Sequence, residues 1–383
     1  MTLLIGINLR PAITSVAALL HETTVQFGLS PAWSAALATL PVIAFGVTAP
    51  LGPLLARRIG TAAALAVSMG VLAITLVLRV VAPEALLIGT FLAGMAIMAA
   101  GTLLPQYLKA QSASGLWVGL SGMSFGVGAA IGASLVVPLF RAAGDSAPIA
   151  LGAWAVPAVL ACIGMVIAMR GGPPPTVSAR IRAPRTAAGT VTVLLVTAMF
   201  GLQALLYFAV TAYLPKILLE RGLDAAEAGW LLAWFSITGL LPTLAMPMIA
   251  RRRSLLLWCA PAIGALTAAG MVWLLLADGP YLVIVGLLGA VQCGAFGLAL
   301  ALIVQLAVDE ETVGAVSSIA QGSGYALAGI GSFLVGVVHD LSGSWALTLG
   351  VLAALALAFA VVTLITVRRS PVSLFQPTGS VNV

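Results

Sequence analysis

Few residues in this chain could do chemistry, and one of them stands where a charge is least expected. Arg10 lies in an apolar run that continues from Thr2 to Leu20, and it is followed by Pro11. The run is long enough to cross a membrane. A guanidinium at the centre of such a helix costs about 2.5–3.5 kcal/mol on insertion scales, so it must face protein or water. Pro11 has no N–H and its ring clashes with the carbonyl of Ile7, while Arg10, as the residue before proline, is pushed away from helical geometry. A break at this depth frees carbonyls beside the guanidinium and is tolerated where it lines a cavity. Three roles follow for Arg10: a contact to substrate, a brace for the kink, or a side chain that snorkels to the interface. No acidic residue lies at comparable depth to pair with it, and the substrate contact is the role carried forward.

Other deep polar residues recur at a spacing of four, which puts them on common helix faces. Thr14 follows Arg10; Gln203, Tyr207 and Thr211 form a second stripe; Gln321 and Tyr325 a third; Thr102 and Gln106 a fourth; Gln292 pairs with Phe296. Hydrogen bonds between helices, worth about 0.6–2 kcal/mol each, are an equal claim on any one of them. The candidate substrate-binding set is Arg10, Asn8, Thr14, Gln203, Tyr207, Gln292, Gln321, Tyr325, Trp234, Thr102 and Gln106. Trp234 is deep enough to line a cavity or to pack in a core.

Catalysis is poorly served. His21 and His339 are the only histidines, Lys109 and Lys216 the only lysines, and neither lysine sits in a phosphate-cradling GxxxxGK[ST] loop. No GxSxG or HExxH occurs. Cys162, Cys259 and Cys293 are far apart with no CxxC spacing. No catalytic residue, metal site or cofactor is expected. All eleven carboxylates fall in loops or at the ends of apolar runs, so the membrane interior offers no acidic proton relay or cation site.

Hydrophobic residues make up 61% of the chain and charged residues 7%, with a mean hydropathy of +1.16. A soluble domain carries about a quarter of its residues charged, so lipid must cover much of this surface. Lys and Arg outnumber Asp and Glu by 17 to 11; in a membrane chain that excess fixes orientation and does not point to nucleic acid.

Twelve apolar segments are long enough to span, at approximately 2–21, 32–55, 61–81, 85–108, 114–140, 147–169, 190–214, 227–250, 254–276, 281–306, 313–337 and 345–367. They are too long for barrel strands, which makes the fold class all-α membrane. The first run has no basic leader and continues into a span, so no cleavable signal peptide is expected. With both termini in the cytoplasm, twelve basic residues fall on that side and four (Arg79, Arg141, Lys216 and Arg221) on the other. The stretch from Gly171 to Gly189, with prolines at 173–175 and three arginines, divides the spans six and six. The expected organisation is a bundle over 1–170, a cytoplasmic linker over 171–189, a second bundle over 190–369 and a cytoplasmic tail over 370–383. An internal repeat supports the division. Pro53-Leu54-Leu55-Ala56-Arg57-Arg58 matches Pro247-Met248-Ile249-Ala250-Arg251-Arg252, and Ser121, Gly126 and Gly128 match Ser317, Gly322 and Gly324 in nearly the same register.

Asn8-Leu9-Arg10-Pro11-Ala12-Ile13-Thr14-Ser15-Val16 resembles the first-helix signature of the cyanate and nitroimidazole transporter family, a branch of the major facilitator superfamily. Phe200-Gly201-Leu202-Gln203-Ala204-Leu205-Leu206-Tyr207 through Tyr213-Leu214-Pro215, Gly222-Leu223 through Ala228-Gly229, and Gln321 through Trp345 resemble it too. One departure is Ala56, near the place where the superfamily's loop after the second helix carries an Asp. The resemblance implies two pseudo-symmetric six-helix bundles that move a small solute by alternating access. On this basis we expect a multi-pass secondary transporter of the cytoplasmic (inner) membrane. It would act as a monomer on an anionic or polar small molecule anchored by Arg10, with the proton a candidate coupling ion. The rivals are a multidrug exporter in which Arg10 is structural and, outside transport, a membrane receptor or enzyme.

The orientation is testable. On a background lacking the three native cysteines, Ser178→Cys should resist membrane-impermeant thiol reagents in intact cells; ready labelling would invert the topology.

Overall fold

The structure, a computed structural model, describes residues 1–170, 187–276 and 279–372 of the 383-residue chain. The expected linker therefore lies outside the described residues, except that 187–189 already belong to a helix; so does the tail beyond Val372.

Among the described residues, sixteen helices make up twelve crossings. The first is α1 (Thr2–Asn8), α2 (Pro11–Ala18) and α3 (Leu20–Gln26); the second is α4 (Pro31–Thr48) and α5 (Leu51–Ile59). Then come α6 (Thr61–Leu78), α7 (Pro83–Ala110), α8 (Gly115–Ala142), and α9 (Ala147–Gly152) with α10 (Ala155–Arg170) as the sixth crossing. The remaining six are α11 (Ala187–Glu220), α12 (Ala225–Ile249), α13 (Arg253–Leu276), α14 (Tyr281–Gln305), α15 (Glu310–Ser342) and α16 (Trp345–Thr366). Ten crossings are apolar stretches of spanning length, the sixth taken across the turn between α9 and α10; the first two are broken into shorter helices. The twelve-span expectation holds, with one amendment: the first span is three short helices running on to Gln26, not a continuous helix over 2–21.

The first interruption has the cause the sequence supplies. Arg10 is the N-cap of α2 and Pro11 its first residue, where a missing N–H costs nothing. The bent segment needs a neighbour without side chains, and α8 provides it: Gly128 lies against the backbone of Ile7, and Gly132 against Pro11 and Thr14. On the far side, Asn8 donates both amide hydrogens, to Leu4 O (2.8 Å) and Pro157 O (3.1 Å), tying α1 to α10.

Arg79, counted with the basic residues of the outer side at the end of the third span, is fully buried at the end of α6. Its Nη1 donates to Ala12 O (2.9 Å) and its Nη2 to Leu151 O (3.3 Å). Those carbonyls sit just after the break in the first span and just before the break between α9 and α10. Gly89 leaves the room: a Cβ there would strike the Arg79 backbone and side chain. One arginine thus clamps two discontinuous spans.

Helices α1–α10 pack chiefly among themselves, and α11–α16 likewise; the two groups meet through α4, α7 and α8 on one side and α12, α14 and α15 on the other. Both ends of the described chain emerge on the same face, the terminal face, where Val372 bridges to the α14–α15 connection (Val308 N to Val372 O, 3.0 Å; Val372 N to Leu306 O, 2.8 Å). Contacts between the groups run from mid-membrane to this face: Gly46 on Ala326, Gly322 on Ala49, Gly122 on Thr243, Gly119 on Leu244 and Gly115 on Pro247. Helices α2 and α3, by contrast, pack on α4, α8 and α9 of their own group.

Arg79→Ala should remove two charge-assisted bonds, each worth about 1.5–3 kcal/mol. Thermal unfolding in detergent should show a Tm several degrees below that of the parent; an unchanged Tm would mean that the clamp does not stabilise the fold.

Candidate functional site

Arg10 projects from the break towards the second helix group. It is partly exposed although it lies mid-span, and its guanidinium has no hydrogen bond or ion pair with any described residue. It lies within electrostatic reach of Tyr207 on α11, Cys293 on α14 and Tyr325 on α15. Thr14 Oγ1 donates back to Arg10 O (3.2 Å), satisfying a carbonyl at the break. The brace that the kink requires comes from Arg79 and Asn8, which leaves the charge of Arg10 unspent.

Below this charge, towards the terminal face, aromatic rings close the path. Tyr325 is the hub, with ring centroids 5.3 Å from Phe45, 5.4 Å from Phe200 and 6.1 Å from Phe208. Phe296 joins Phe200 (6.3 Å) to Phe125 (5.8 Å), and Tyr207 contacts Phe208 (5.5 Å) and Phe235 (5.9 Å). Two pairs, Phe45–Tyr325 and Phe125–Phe296, cross between the helix groups. Mostly edge-on or tilted rings at such separations attract by about 0.5–1.5 kcal/mol each beyond their buried area, so the floor also holds the groups together.

Polar groups around the floor remain unspent. The hydroxyls of Tyr207 and Tyr325 have no hydrogen-bond partner among the described residues. Gln292 is buried with both its Nε2 and Oε1 unpaired, while its backbone carbonyl accepts from Gln203 Nε2 at 3.5 Å. An orphaned buried amide costs about 1–3 kcal/mol, and a polar ligand or water would relieve it. Tyr207 and Tyr325 are thus the candidates set beside Arg10, and Gln203 and Gln292 are joined to each other across α11 and α14.

The other candidates are placed differently. Gln321 Nε2 donates to Ser317 Oγ (2.6 Å) and across the groups to Gly101 O (3.3 Å), acting as a latch beneath the floor. Thr102 Oγ1 bonds Ala99 O (2.9 Å) within its own helix, and Gln106 faces Gly314 of α15. Thr102 Oγ1 also lies against Gly52 of α5 in its own group, whereas Gln106 belongs to the closed contact near the terminal face. Trp234 Nε1 donates to Leu282 O (2.9 Å), joining α12 to α14 inside one group, and Asn8 faces α10. Sequence reasoning missed Phe45, Phe125 and Phe208, because isolated phenylalanines on separate spans give no local signal. Cys293 was noted only as an apolar residue. The His21 side chain lies outside the described residues.

The comparisons with known proteins agree with this architecture. A family model described as the Major Facilitator Superfamily matches residues 3–330. The cyanate transport protein CynX of Escherichia coli (strain K12) is 28% identical over 359 residues, covering 89% of this chain and 90% of that protein. The 2-nitroimidazole transporter of the same organism is 27% identical over 363 residues, covering 94% and 92%. Among solved structures, the transporter FucP in the outward conformation superposes with a TM-score of 0.71 at 15% identity, over 96% of this chain and 97% of that one. That identity speaks to the fold alone.

Gln321→Leu should loosen the closed contact. Losing a bond worth about 1 kcal/mol shifts a two-state equilibrium roughly fivefold. A cysteine placed beneath the floor in this variant should react correspondingly faster with thiol reagents; an unchanged rate would mean that the latch does not hold the groups together.

Proposed function

Because this chain belongs to the Major Facilitator Superfamily, we propose that it is a secondary transporter whose substrate is a small anion, or a compact polar solute that ionises to one, held by Arg10. The observation that carries this reading is the unpartnered guanidinium beside two free phenols and an unpaired amide, with no mid-membrane carboxylate among the described residues. Such a set of donors matches an acceptor-rich solute, whereas an organic cation would meet an uncompensated positive charge. At an effective dielectric near 20, like charges about 4 Å apart repel by about 4 kcal/mol. The names of the two bacterial relatives, one for cyanate and one for a nitroimidazole, fit this chemistry: each compound is small and rich in acceptors. The aromatic floor would suit a flat ring.

The relatives are transporters, not enzymes, and the chain is a multi-pass membrane protein. The two groups, 1–170 and 190–369, would move as bundles joined by the 171–189 linker, with the terminal face cytoplasmic according to the basic asymmetry. In the conformation described, the closed contacts lie towards that face, so the site would be reached from outside. With carboxylates confined to the ends of spans, a coupling proton would travel on the ionisable substrate itself. The protein would need no partner subunit.

Flux into proteoliposomes tests the anchor. Arg10→Ala should lower apparent affinity about tenfold or more, as expected for the loss of charge-assisted bonds of about 1.5–3 kcal/mol. Arg10→Lys should rescue it only in part, since Lys keeps the charge but loses the planar fork. Wild-type flux in Arg10→Ala would make Arg10 structural and favour a multidrug exporter.

A further inference from the structure

The path beneath the aromatic floor does not end in solid packing. A narrow apolar crevice, lined in part by Phe125, Ser121, Leu300 and Val304, descends between α7, α8 and α14. It shares Leu108, Val118 and Val304 with a wider cleft of about 270 Å³ at the terminal face. The cleft is walled by both helix groups, Lys109, Ser112 and Gly115 on one side and Pro247, Arg251 and Gln305 on the other. It holds two positive charges, one from each group, and no carboxylate among its lining residues.

We propose that this cleft is an oxyanion site whose occupant bridges Lys109 and Arg251 and holds the terminal face closed. The volume is about nine times the share of one water in liquid, at about 30 Å³ each, which accommodates a phosphate-sized group with some hydration. The Lys109 ammonium spends one donor on Val304 O (3.3 Å), a carbonyl in the last turn of α14, and has two more to offer. Arg251 adds a planar fork suited to an oxyanion, and its side chain packs on Gly115. Helix α8 starts at that glycine, and its N-cap residue Ser114 makes no side-chain capping bond, so the first-turn N–H groups add to the positive field.

Closing the two helix groups brings these like charges to one cleft, and that repulsion opposes closure. An anion between them reverses the sign. It makes contacts only while the groups are together, so it must shift the equilibrium towards the closed face. Other charged groups near this face are Arg252 and Arg253, which follow Arg251, and Asp309, Glu310 and Glu311 at the start of α15, with Arg57 of the first group within electrostatic reach of Glu311. None of these lines the cleft. This inference rests on the closed contact and is independent of which solute the central site takes.

The oxyanion could arrive as a free cytosolic anion or as a phospholipid headgroup, and one experiment separates them. Ser121, buried in the crevice, is replaced by Cys in full-length protein lacking the native cysteines, and its labelling rate reports opening of the terminal face. Inorganic phosphate, at matched ionic strength in chloride, should slow labelling about tenfold at ten times its Kd if the anion is free. If the headgroup is the occupant, phosphatidylglycerol nanodiscs should slow it relative to phosphatidylcholine nanodiscs, and phosphate in detergent should not. In either case the protection should vanish in the Lys109→Gln, Arg251→Gln double variant and persist in Arg368→Gln, with circular dichroism and Tm confirming that each variant is folded. The proposal is overturned if neither source protects Ser121→Cys, or if protection survives loss of both cations.

Discussion

A guanidinium held at mid-membrane depth needs compensation, and in this protein nearly everything around the first span is arranged so that the fold does not provide it. Pro11 breaks the helix beside Arg10, and the broken backbone is accommodated by Gly128 and Gly132 of α8. The carbonyls that could have neutralised Arg10 are taken up by other groups: Ala12 O by Arg79, Leu4 O by Asn8, and Arg10's own by Thr14. The result is a charge that no described residue neutralises and that, under the proposed function, an entering solute stabilises. Binding energy then becomes the natural currency for moving the two helix groups.

The closure is equally asymmetric in its chemistry. Towards the terminal face, the groups are joined by aromatic edges, small-residue contacts, an amide latch and the donation of the Lys109 ammonium to Val304 O. Such contacts are individually weak and carry little desolvation penalty, which suits an interface that must open and close repeatedly. The superfamily's acidic gate residue is replaced by Ala56. Acidic groups appear instead at the start of α15, where Asp309 caps the helix by accepting from Thr312 N (2.7 Å). At the opposite face, strong contacts stay within one group: His339 stacks on Trp345 (3.7 Å between centroids), whose Nε1 donates to Glu220 Oε2 (2.6 Å). These anchor α11, α15 and α16 to one another rather than to the other half.

Much of this architecture was legible in the sequence because hydropathy and basic asymmetry are long-range averages. The span count and the break at Arg10 follow from composition and proline stereochemistry. Where the fold sets other candidates away from Arg10, the reasons are local. Asn8 lies two residues from Arg10, a displacement of about 200° around a helix, so the two side chains face different neighbours. Trp234 has one donor, and Leu282 O takes it. Thr102 packs on Gly52 of its own group, while Gln106 packs on Gly314 of the other group near the terminal side. By sequence, Arg79 counts among the outer basic residues at the end of the third span; only tertiary structure could reveal two discontinuous helices offering it carbonyls. The floor of Phe45, Phe125, Phe200, Phe208 and Phe296 is distributed over four crossings, and no window of sequence contains it.

The central claim is that the site selects for negative charge through Arg10. The most direct measurement is equilibrium titration of the purified protein with two isosteric planar ligands, one anionic and one cationic, repeated as the pH is moved across the anion's own pKa. The account predicts that the anion binds more tightly, that its affinity follows its ionised fraction, and that Arg10→Ala removes the preference. Tighter binding of the cation to the wild-type protein would contradict it.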